Sequence, residues 1–326
     1  MKKRGQNQNM GTLVNGKWTQ KSLAQLRAEG KDIQVDPGFR NWITPDGSAG
    51  PTGKGGFKAE KGRYHLYVSY GCPWASRALL MRGLKGLQDY IGLSVVDPVL
   101  GADGWQFSDF PGTIADPIFG ARSLPEVYTK AKADYTGIAS VPVLFDKQTG
   151  QIVNNESADI MRMLESAFDE LTGDHTAYYP KALRAQIDEL NVYCDSFYAK
   201  VNATKDAKTQ AEYEKAVAQV FTMLDDLEQR LKDQAYLLGD APVETDWKLF
   251  TFLVRFDIVF YGLYKCNLKL LSAYPNLWRY VRQLYNTPGV AETVNFEHIK
   301  VHHYRGQLDL NPSGIVPIGP KEDWSL

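Results

Sequence analysis

The middle of the chain alternates between strand-like and helix-like patterns of hydrophobic residues. Residues 64–68 alternate as in a strand, and the apolar positions of residues 73–87 recur at helical spacing. Residues 93–96 form a second apolar run of strand length. This order predicts a β-α-β unit. A long insertion at residues 101–120, rich in glycine and aromatic residues, separates it from the next elements.

Beyond the insertion the strand pattern resumes. Two short strands are predicted at residues 141–145 and 151–153, and a helix is predicted to begin near Glu156 and Ser157. With the preceding β-α-β unit, these elements indicate a small α/β domain.

The second half of the chain changes to a helical period. Two helices are marked by the apolar sets Leu183, Ile187, Leu190 and Cys194, and Val217, Val220, Phe221, Leu224, Leu227 and Leu231. A third helix is expected to start at Thr245 or Asp246 and to run through residues 247–264. The apolar residues of this third helix occur on all of its faces, which indicates a position in the core.

The patterns divide the chain into four segments and predict a fold class of α/β plus all-α. Residues 1–62, rich in Gly, Pro and Asp, form an N-terminal extension or loop, and residues 63–170 form the α/β domain. Residues 180–290 form an all-helical domain, and residues 291–326 form a C-terminal extension.

Composition excludes several classes of partner. The 326 residues include 37 basic and 38 acidic side chains, so the formal charge of -1 gives no reason to expect binding to nucleic acid or to an anionic membrane. The sequence has no apolar run of transmembrane length and no signal-peptide pattern, so a cytoplasmic location is expected. Three scattered cysteines do not form a disulfide framework or a zinc cluster.

Cys72 lies at the turn between the strand at residues 64–68 and the following helix, with Pro73 at the first helical position. The unpaired N–H groups and the positive end of the helix dipole favour a thiolate there, and a thiolate is a nucleophile. The alternative is a buried, inert cysteine. A redox dithiol motif would carry a second cysteine where this chain has Ala75, so a mixed disulfide at Cys72 needs an external thiol such as glutathione.

Two further motifs suit a peptide-like ligand. Pro142 at a strand start predicts a cis Val141-Pro142 bond, which would leave the Val141 backbone able to pair with an extended peptide; an edge-strand proline is the alternative. Glu156 and Ser157 offer a carboxylate, a hydroxyl and N–H groups to one end of a small zwitterion, or they cap their helix only.

Long blocks of the sequence resemble the Xi-class glutathione transferases, the glutathionyl-hydroquinone reductases. The blocks are residues 39–87, which contain "YGCPWA", residues 140–163, which contain "VPVLF" and "NNES", and residues 255–267 and 287–320. The resemblance covers nearly the whole chain. It implies a thioredoxin-like domain followed by a helical domain, in a homodimer.

The resemblance also implies a reaction. The Cys72 thiolate attacks the sulfur of a glutathionyl-hydroquinone, releases the hydroquinone and is left disulfide-bonded to glutathione, which a second glutathione removes. Glutathione is then the co-substrate, and a small aromatic quinol is the other partner. Glutathione binding is assigned by the resemblance to Trp105, to Val141 with Pro142, to Glu156 and to Ser157.

The chain departs from the family pattern where the family uses an arginine to hold glutathione. The matching segment is "SLPEVY", with Pro125 in that place, and Arg122 is the candidate to replace the arginine.

The family's three quinol-binding tyrosines are also altered. Tyr198 stands at its expected position, whereas the second falls on Phe260, with Tyr261 and Tyr264 close in sequence. The third falls on His303, followed by Tyr304. His303 is a candidate hydrogen-bond or proton donor to the leaving group; the alternative is a surface histidine without such a role.

Other candidates carry less chemistry. Cys194 lies on the apolar face of a predicted helix and is expected in the core, and Cys266 has no assigned role. His298 and His302 have helical spacing but lack a third ligand, so no metal site is expected there.

Three functions remain open from the sequence. The first is the glutathionyl-hydroquinone reductase, and the second is a thiol transferase or dehydroascorbate reductase like the cysteine-bearing Omega class. The third is a catalytically weak binding protein. The intact Cys72, Pro142, Glu156 and Ser157 argue against it, whereas Pro125 and the altered tyrosines argue for it.

Overall fold

The computed structural model describes residues 11–326, and its first element is a hairpin. Strands β1 (Thr12–Val14) and β2 (Lys17–Thr19) are antiparallel. Asn15 and Gly16 join them with φ angles of 47° and 71°, the left-handed conformation of a tight hairpin turn. Helix α1 (Leu23–Ala28) follows, capped by Ser22. The segment predicted to be an extension or loop therefore contains regular structure.

A four-stranded sheet forms the centre of the predicted α/β domain. Its strands are β3 (Tyr64–Val68), β4 (Ile91–Val95), β5 (Val143–Asp146) and β6 (Gln151–Asn154), in the order β4-β3-β5-β6. Strands β3 and β4 are parallel, and β5 is antiparallel to β3 and to β6. Every residue of β3 and β5 is buried, as in a sheet covered on both faces.

The helices of this domain follow the predicted order. They are α2 (Pro73–Leu84), α3 (Leu124–Ala131), α4 (Ser157–Ser166) and the single turn α5 (Asp169–Thr172), and α2 packs against α4. This is the predicted thioredoxin-like architecture. Arg40 pairs with Asn154 of β6, and the Asn41 N–H donates to the Val153 carbonyl at 2.9 Å, so the segment before β3 covers the open edge of the sheet.

The helical half of the chain is also as predicted, apart from its third helix. Helix α6 (Arg184–Asp206) packs against α7 (Gln210–Arg230) and α8 (Glu244–Leu253), and α9 (Pro275–Tyr285) follows. The prediction that the third helix continues to residue 264 is wrong. It ends at Leu253 and is followed by a π-helical turn at Phe256–Phe260.

Backbone hydrogen bonds account for both ends of α8. The N–H groups of Phe260 and Tyr261 bond back five residues, to the carbonyls of Arg255 and Phe256. The all-round apolar pattern gives no sign of this change in hydrogen bonding. At its start the helix is capped at Val243, whose N–H donates to Asp246 Oδ2 at 2.7 Å, and not at Thr245 or Asp246.

The last helix, α10 (Phe296–Gly306), is capped by Asn295, whose side chain accepts from the His298 N–H. Residues Thr293–Gly314 belong to the unit formed by the described residues up to His175, whereas Thr176–Glu292 and Ile315–Leu326 form the second unit. The predicted C-terminal extension is thus divided between the two units. Among residues 11–326, no helix has both the length and the apolar character of a membrane span.

Candidate active site

Cys72 is the N-terminal capping residue of α2, at the end of the sheet where β3 leaves it. It has an extended conformation and is half-buried, with Pro73 opening the helix. Its carbonyl accepts from both the N–H and the hydroxyl of Ser76, each at 3.0 Å, which fixes the first helical turn. The position is the one at which helix N–H groups and the dipole stabilise a thiolate.

Sheet topology brings the other predicted glutathione residues to the same end of the sheet as Cys72. Because β5 is antiparallel to β3, its first residue Val143 lies opposite Tyr67, near the end of β3. Strand β6 is antiparallel to β5, so its end at Asn154 lies opposite Leu144. The segments that carry Cys72, Val141 and Glu156 therefore meet at one end of the sheet.

The Val141-Pro142 peptide bond is cis, as predicted. Val141 is buried, and its N–H and carbonyl make no hydrogen bond to residues 11–326. A buried backbone pair without partners costs free energy, which a strand-like ligand can recover by pairing with both groups.

Glu156 and Ser157 lie where β6 turns into α4. The Glu156 N–H donates to Asn154 Oδ1 at 2.7 Å, and its carboxylate accepts weakly from the Ala158 N–H at 3.4 Å, so Glu156 does cap the helix. Ser157 is buried and Glu156 is exposed. The Ser157 hydroxyl also donates to the same carboxylate oxygen, at 3.5 Å. A capping role and ligand binding are compatible, because both weak bonds use Oε1 and leave Oε2 accessible.

Trp105 is 4% exposed, and its indole N–H has no hydrogen-bond partner within residues 11–326. Its carbonyl accepts from the Leu124 N–H at 2.8 Å, which ties the insertion to the start of α3. An unpartnered buried donor is costly, so the indole is suited to an acceptor supplied by a ligand.

Arg122 lies at the end of the insertion, and its side chain is exposed. Its carbonyl accepts from the Phe107 N–H at 2.9 Å, and its guanidinium forms no ion pair within residues 11–326. Pro125 is buried in the first turn of α3. A proline there fits the helix start, where its missing N–H has no intrahelical partner.

His303 and Tyr304 lie on α10, within the unit that contains Cys72. His303 is 1% exposed, so the alternative of a surface histidine is wrong. Its Nδ1 donates to the Ile299 carbonyl at 2.8 Å, which places the proton of the neutral ring on Nδ1. His303 can then give a proton from Nε2 only as an imidazolium. Tyr304 is half-buried.

Three of the aromatic residues predicted for the quinol, Tyr198, Phe260 and Tyr264, lie together in the second unit. The Phe260 ring stacks on Tyr264 at 5.5 Å and lies 6.2 Å from Tyr198, which in turn stacks on Phe252 at 5.1 Å. Phe260 and Tyr264 are buried, whereas Tyr198 and Tyr261 are half-buried. The half-buried pair therefore offers more surface to a ligand.

The remaining cysteines do not compete with Cys72. Burial raises the pKa of the Cys194 thiol to about 12 and that of Cys266 to about 11. Cys266 also contacts the Thr204 hydroxyl at 3.2 Å. Both thiols stay protonated and packed at neutral pH, so neither can resolve a disulfide at Cys72.

His298 and His302 bind loop carbonyls instead of approaching each other as metal ligands. His298 Nε2 donates to the Pro111 carbonyl at 2.7 Å, and His302 Nδ1 donates to the Pro98 carbonyl at 2.8 Å. In the described part of the chain, no three His, Cys, Asp or Glu side chains converge as a metal site. Sequence reasoning noticed this pair but missed its structural role.

Comparisons with known proteins agree with this geometry. Residues 71–167 match the family "Glutathione S-transferase, N-terminal domain", and residues 210–283 match "Glutathione S-transferase, C-terminal domain". The glutathionyl-hydroquinone reductase YqjG of Escherichia coli is 46% identical over 316 residues, covering 96% of each chain.

Solved structures give the same relationship. The glutathione-bound structure of E. coli YqjG superposes with a TM-score of 0.88 at 45% identity, covering 97% of each chain. A Xi-class glutathione transferase from Natrialba magadii superposes with a TM-score of 0.85 at 39% identity, covering 98% of this chain and 96% of that one.

A thiol at the start of a helix on a thioredoxin-like sheet, followed by an all-helical domain, defines a cysteine-bearing glutathione transferase fold. With matches of this extent, the chain belongs to the glutathione S-transferase family, and within it to the Xi class.

Proposed function

We propose that this chain is a glutathionyl-hydroquinone reductase that works through Cys72. The observation that carries the proposal is the placement of Cys72 as a single half-buried thiol at a helix N-terminus, while the other two cysteines are buried. A near full-length relative with 46% identity is named for this activity.

The reaction balances with one thiol on the enzyme. The Cys72 thiolate attacks the thioether sulfur, a Cys72-glutathione disulfide forms, the carbon–sulfur bond breaks and the ring carbon takes a proton. The ring carbon is reduced by two electrons, and the Cys72 and glutathione sulfurs, which lose one electron each, are oxidised to a disulfide. A glutathione thiolate then attacks that disulfide, releases glutathione disulfide and restores Cys72. Ala75 supplies no internal thiol, which makes the second glutathione necessary.

We propose that the residues at the end of the sheet next to Cys72 supply the contacts to glutathione. Val141 pairs with the extended peptide through its free backbone groups, and Trp105 donates its indole N–H. The N-terminus of α4 receives the glutamyl end, with its carboxylate at Ser157 and its ammonium at Glu156. Tyr198 in the helical unit is proposed as a contact to the quinol on the basis of the resemblance.

A thiol transferase of the Omega type is the second candidate. It is favoured by two observations: Phe260 is fully buried and lacks a hydroxyl, and His303 already donates Nδ1–H to its own helix. These are positions at which the resemblance expects tyrosines, so recognition of the quinol is the part most open to change.

A turnover assay distinguishes the two functions. The wild type and Cys72→Ser are given glutathione with a glutathionyl-hydroquinone, a glutathione mixed disulfide or dehydroascorbate, and the products are separated by chromatography. We expect equal amounts of hydroquinone and glutathione disulfide from the wild type and none above background from Cys72→Ser. Turnover of the mixed disulfide without release of hydroquinone would select the second candidate.

We also propose a cytoplasmic homodimer. The resemblance supports the dimer, and the near-zero formal charge of -1 gives no electrostatic attraction to a membrane. Light scattering across a dilution series gives the mass in solution, and a mass of one chain at micromolar concentration would contradict the dimer.

A further inference from the structure

We propose that His302 is a positioning residue for glutathione: its ring stacks on the Trp105 indole and sets the direction of the indole N–H, while the same ring packs against the turn that carries Cys72. The inference rests on the function proposed above, because it concerns the same glutathione site.

The His302 ring meets the neighbouring His303 ring edge-on at 4.8 Å, and three further contacts tie it to the insertion and to the turn before Cys72. Nδ1 donates to the Pro98 carbonyl at 2.8 Å, at the entrance of the insertion. The ring stacks on the Trp105 indole, with centroids 5.5 Å apart and planes inclined by 26°. A Cβ added to Gly71 would lie only 2.5 Å from the His302 Cβ and 2.4 Å from its Cγ, so the His302 side chain packs directly against Gly71. One imidazole therefore touches the indole, the insertion and the residue that precedes Cys72.

His298 provides a comparison on the same helix. It lies one turn earlier, donates to the Pro111 carbonyl and meets the rings of Tyr70 and Phe110 edge-on. No ring contact between His298 and Trp105 is found in the described residues. The two histidines thus tie the insertion to α10 at two carbonyls, and His302 is the one that also orients the indole.

The orientation of the indole matters because its N–H is buried and unpartnered. A donor inside a site contributes to binding only when it is held within hydrogen-bond reach of the ligand acceptor. Trp105 sits on the long insertion, and its indole makes no hydrogen bond within residues 11–326. Among the described residues, stacking on His302 is therefore the ring contact that sets the plane of the indole.

Equilibrium binding of glutathione tests the proposal without any quinol. Calorimetry is carried out in a Cys72→Ser background with His302→Ala, His302→Phe, Trp105→Ala and the double variant His302→Ala/Trp105→Ala. Glu297→Gln, an exposed change on the same helix, is the control. Melting temperatures and the alkylation of Cys72 by iodoacetamide, measured in the Cys72 protein, report folding and thiol reactivity.

We expect His302→Ala to raise the Kd for glutathione about tenfold, which is the effect of losing one hydrogen bond from an uncharged donor. His302→Phe keeps the stacked ring and should stay within about threefold of the reference, while alkylation of Cys72 changes less than about twofold in both variants. The double variant should bind no more weakly than Trp105→Ala, because His302 acts through that indole.

Two results would overturn the proposal. One is unchanged glutathione binding in His302→Ala, and the other is a double variant whose loss equals the product of the two single losses. Protein that binds no glutathione in the reference background contradicts this inference and the proposed function together. Protein that binds glutathione but releases no hydroquinone contradicts the proposed function alone and leaves this test valid.

Discussion

Gly71→Ala tests how tightly α10 packs on the turn before Cys72. The added Cβ would lie 2.4 Å from His302 Cγ, 2.5 Å from its Cβ and 2.9 Å from its Cδ2. Carbon atoms pack at about 3.5–4.0 Å, so either the ring or the turn has to move by roughly 1 Å. Overpacking of this kind costs about 1–3 kcal/mol of unfolding free energy. A displacement of that size at a nucleophile lowers the reaction rate about 100-fold.

The matched control is Gly38→Ala, in the same unit, where the added Cβ comes no closer than 3.4 Å to Asn155 Oδ1. Urea unfolding measures stability, and release of hydroquinone measures kcat/KM. We expect Gly71→Ala to lose both stability and activity, and Gly38→Ala to keep both. Gly71→Ala with the stability and kcat/KM of the wild type would refute the rigid contact and weaken the case for His302 as a positioning residue.

Three further predictions concern folding and the aromatic cluster. Burial lowers the pKa of His65 from 6.5 to about 4. Between these two pH values His65 is protonated in the unfolded chain but neutral in the folded protein. The free energy of unfolding therefore falls by roughly 3 kcal/mol as the pH drops through this range. Urea titrations at several pH values should show a weaker pH dependence in His65→Asn, and an unchanged dependence would contradict this. Asp146 is fully buried in a bidentate pair with Arg63, at 2.9 and 2.7 Å, so Asp146→Asn should cost about 3–5 kcal/mol in the same assay, and a loss below about 1 kcal/mol would refute the pairing argument. Phe260 is 0% exposed, so Phe260→Tyr should lower stability by about 1–3 kcal/mol without raising turnover; a faster release of hydroquinone would show that the ring reaches the quinol.

The elements of the sheet were predictable because each has a local signal. The alternation at Tyr64–Val68 gave the central strand, and the proline after Cys72 gave the helix start within one residue. The Asn15-Gly16 hairpin has an equally local signal in the sequence and was missed. The end of α8 at Leu253 has no local signal in the sequence, because the residues before and after it are equally apolar around the whole helix.

The site was predictable only where its residues lie next to a turn or a helix end. Cys72, Val141 and Glu156 could be found in this way, since Cys72 and Glu156 each follow a predicted strand and Val141 is the first residue of one. His302 could not, because its contacts with Gly71, Pro98 and Trp105 depend on α10, from the end of the chain, being part of the first unit. A pair of histidines at helical spacing indicates a shared helix face, but not what that face contacts.

Mass spectrometry of the Cys72 adduct tests the proposed mechanism most directly. The protein and its Cys72→Ser variant are incubated with a glutathionyl-hydroquinone, first alone and then with excess glutathione. We predict that one glutathione is added at Cys72, with release of hydroquinone, and that the adduct disappears when glutathione follows. The absence of this adduct, under conditions where a glutathione mixed disulfide does label Cys72, would contradict the proposed reduction of quinols and leave a thiol transferase.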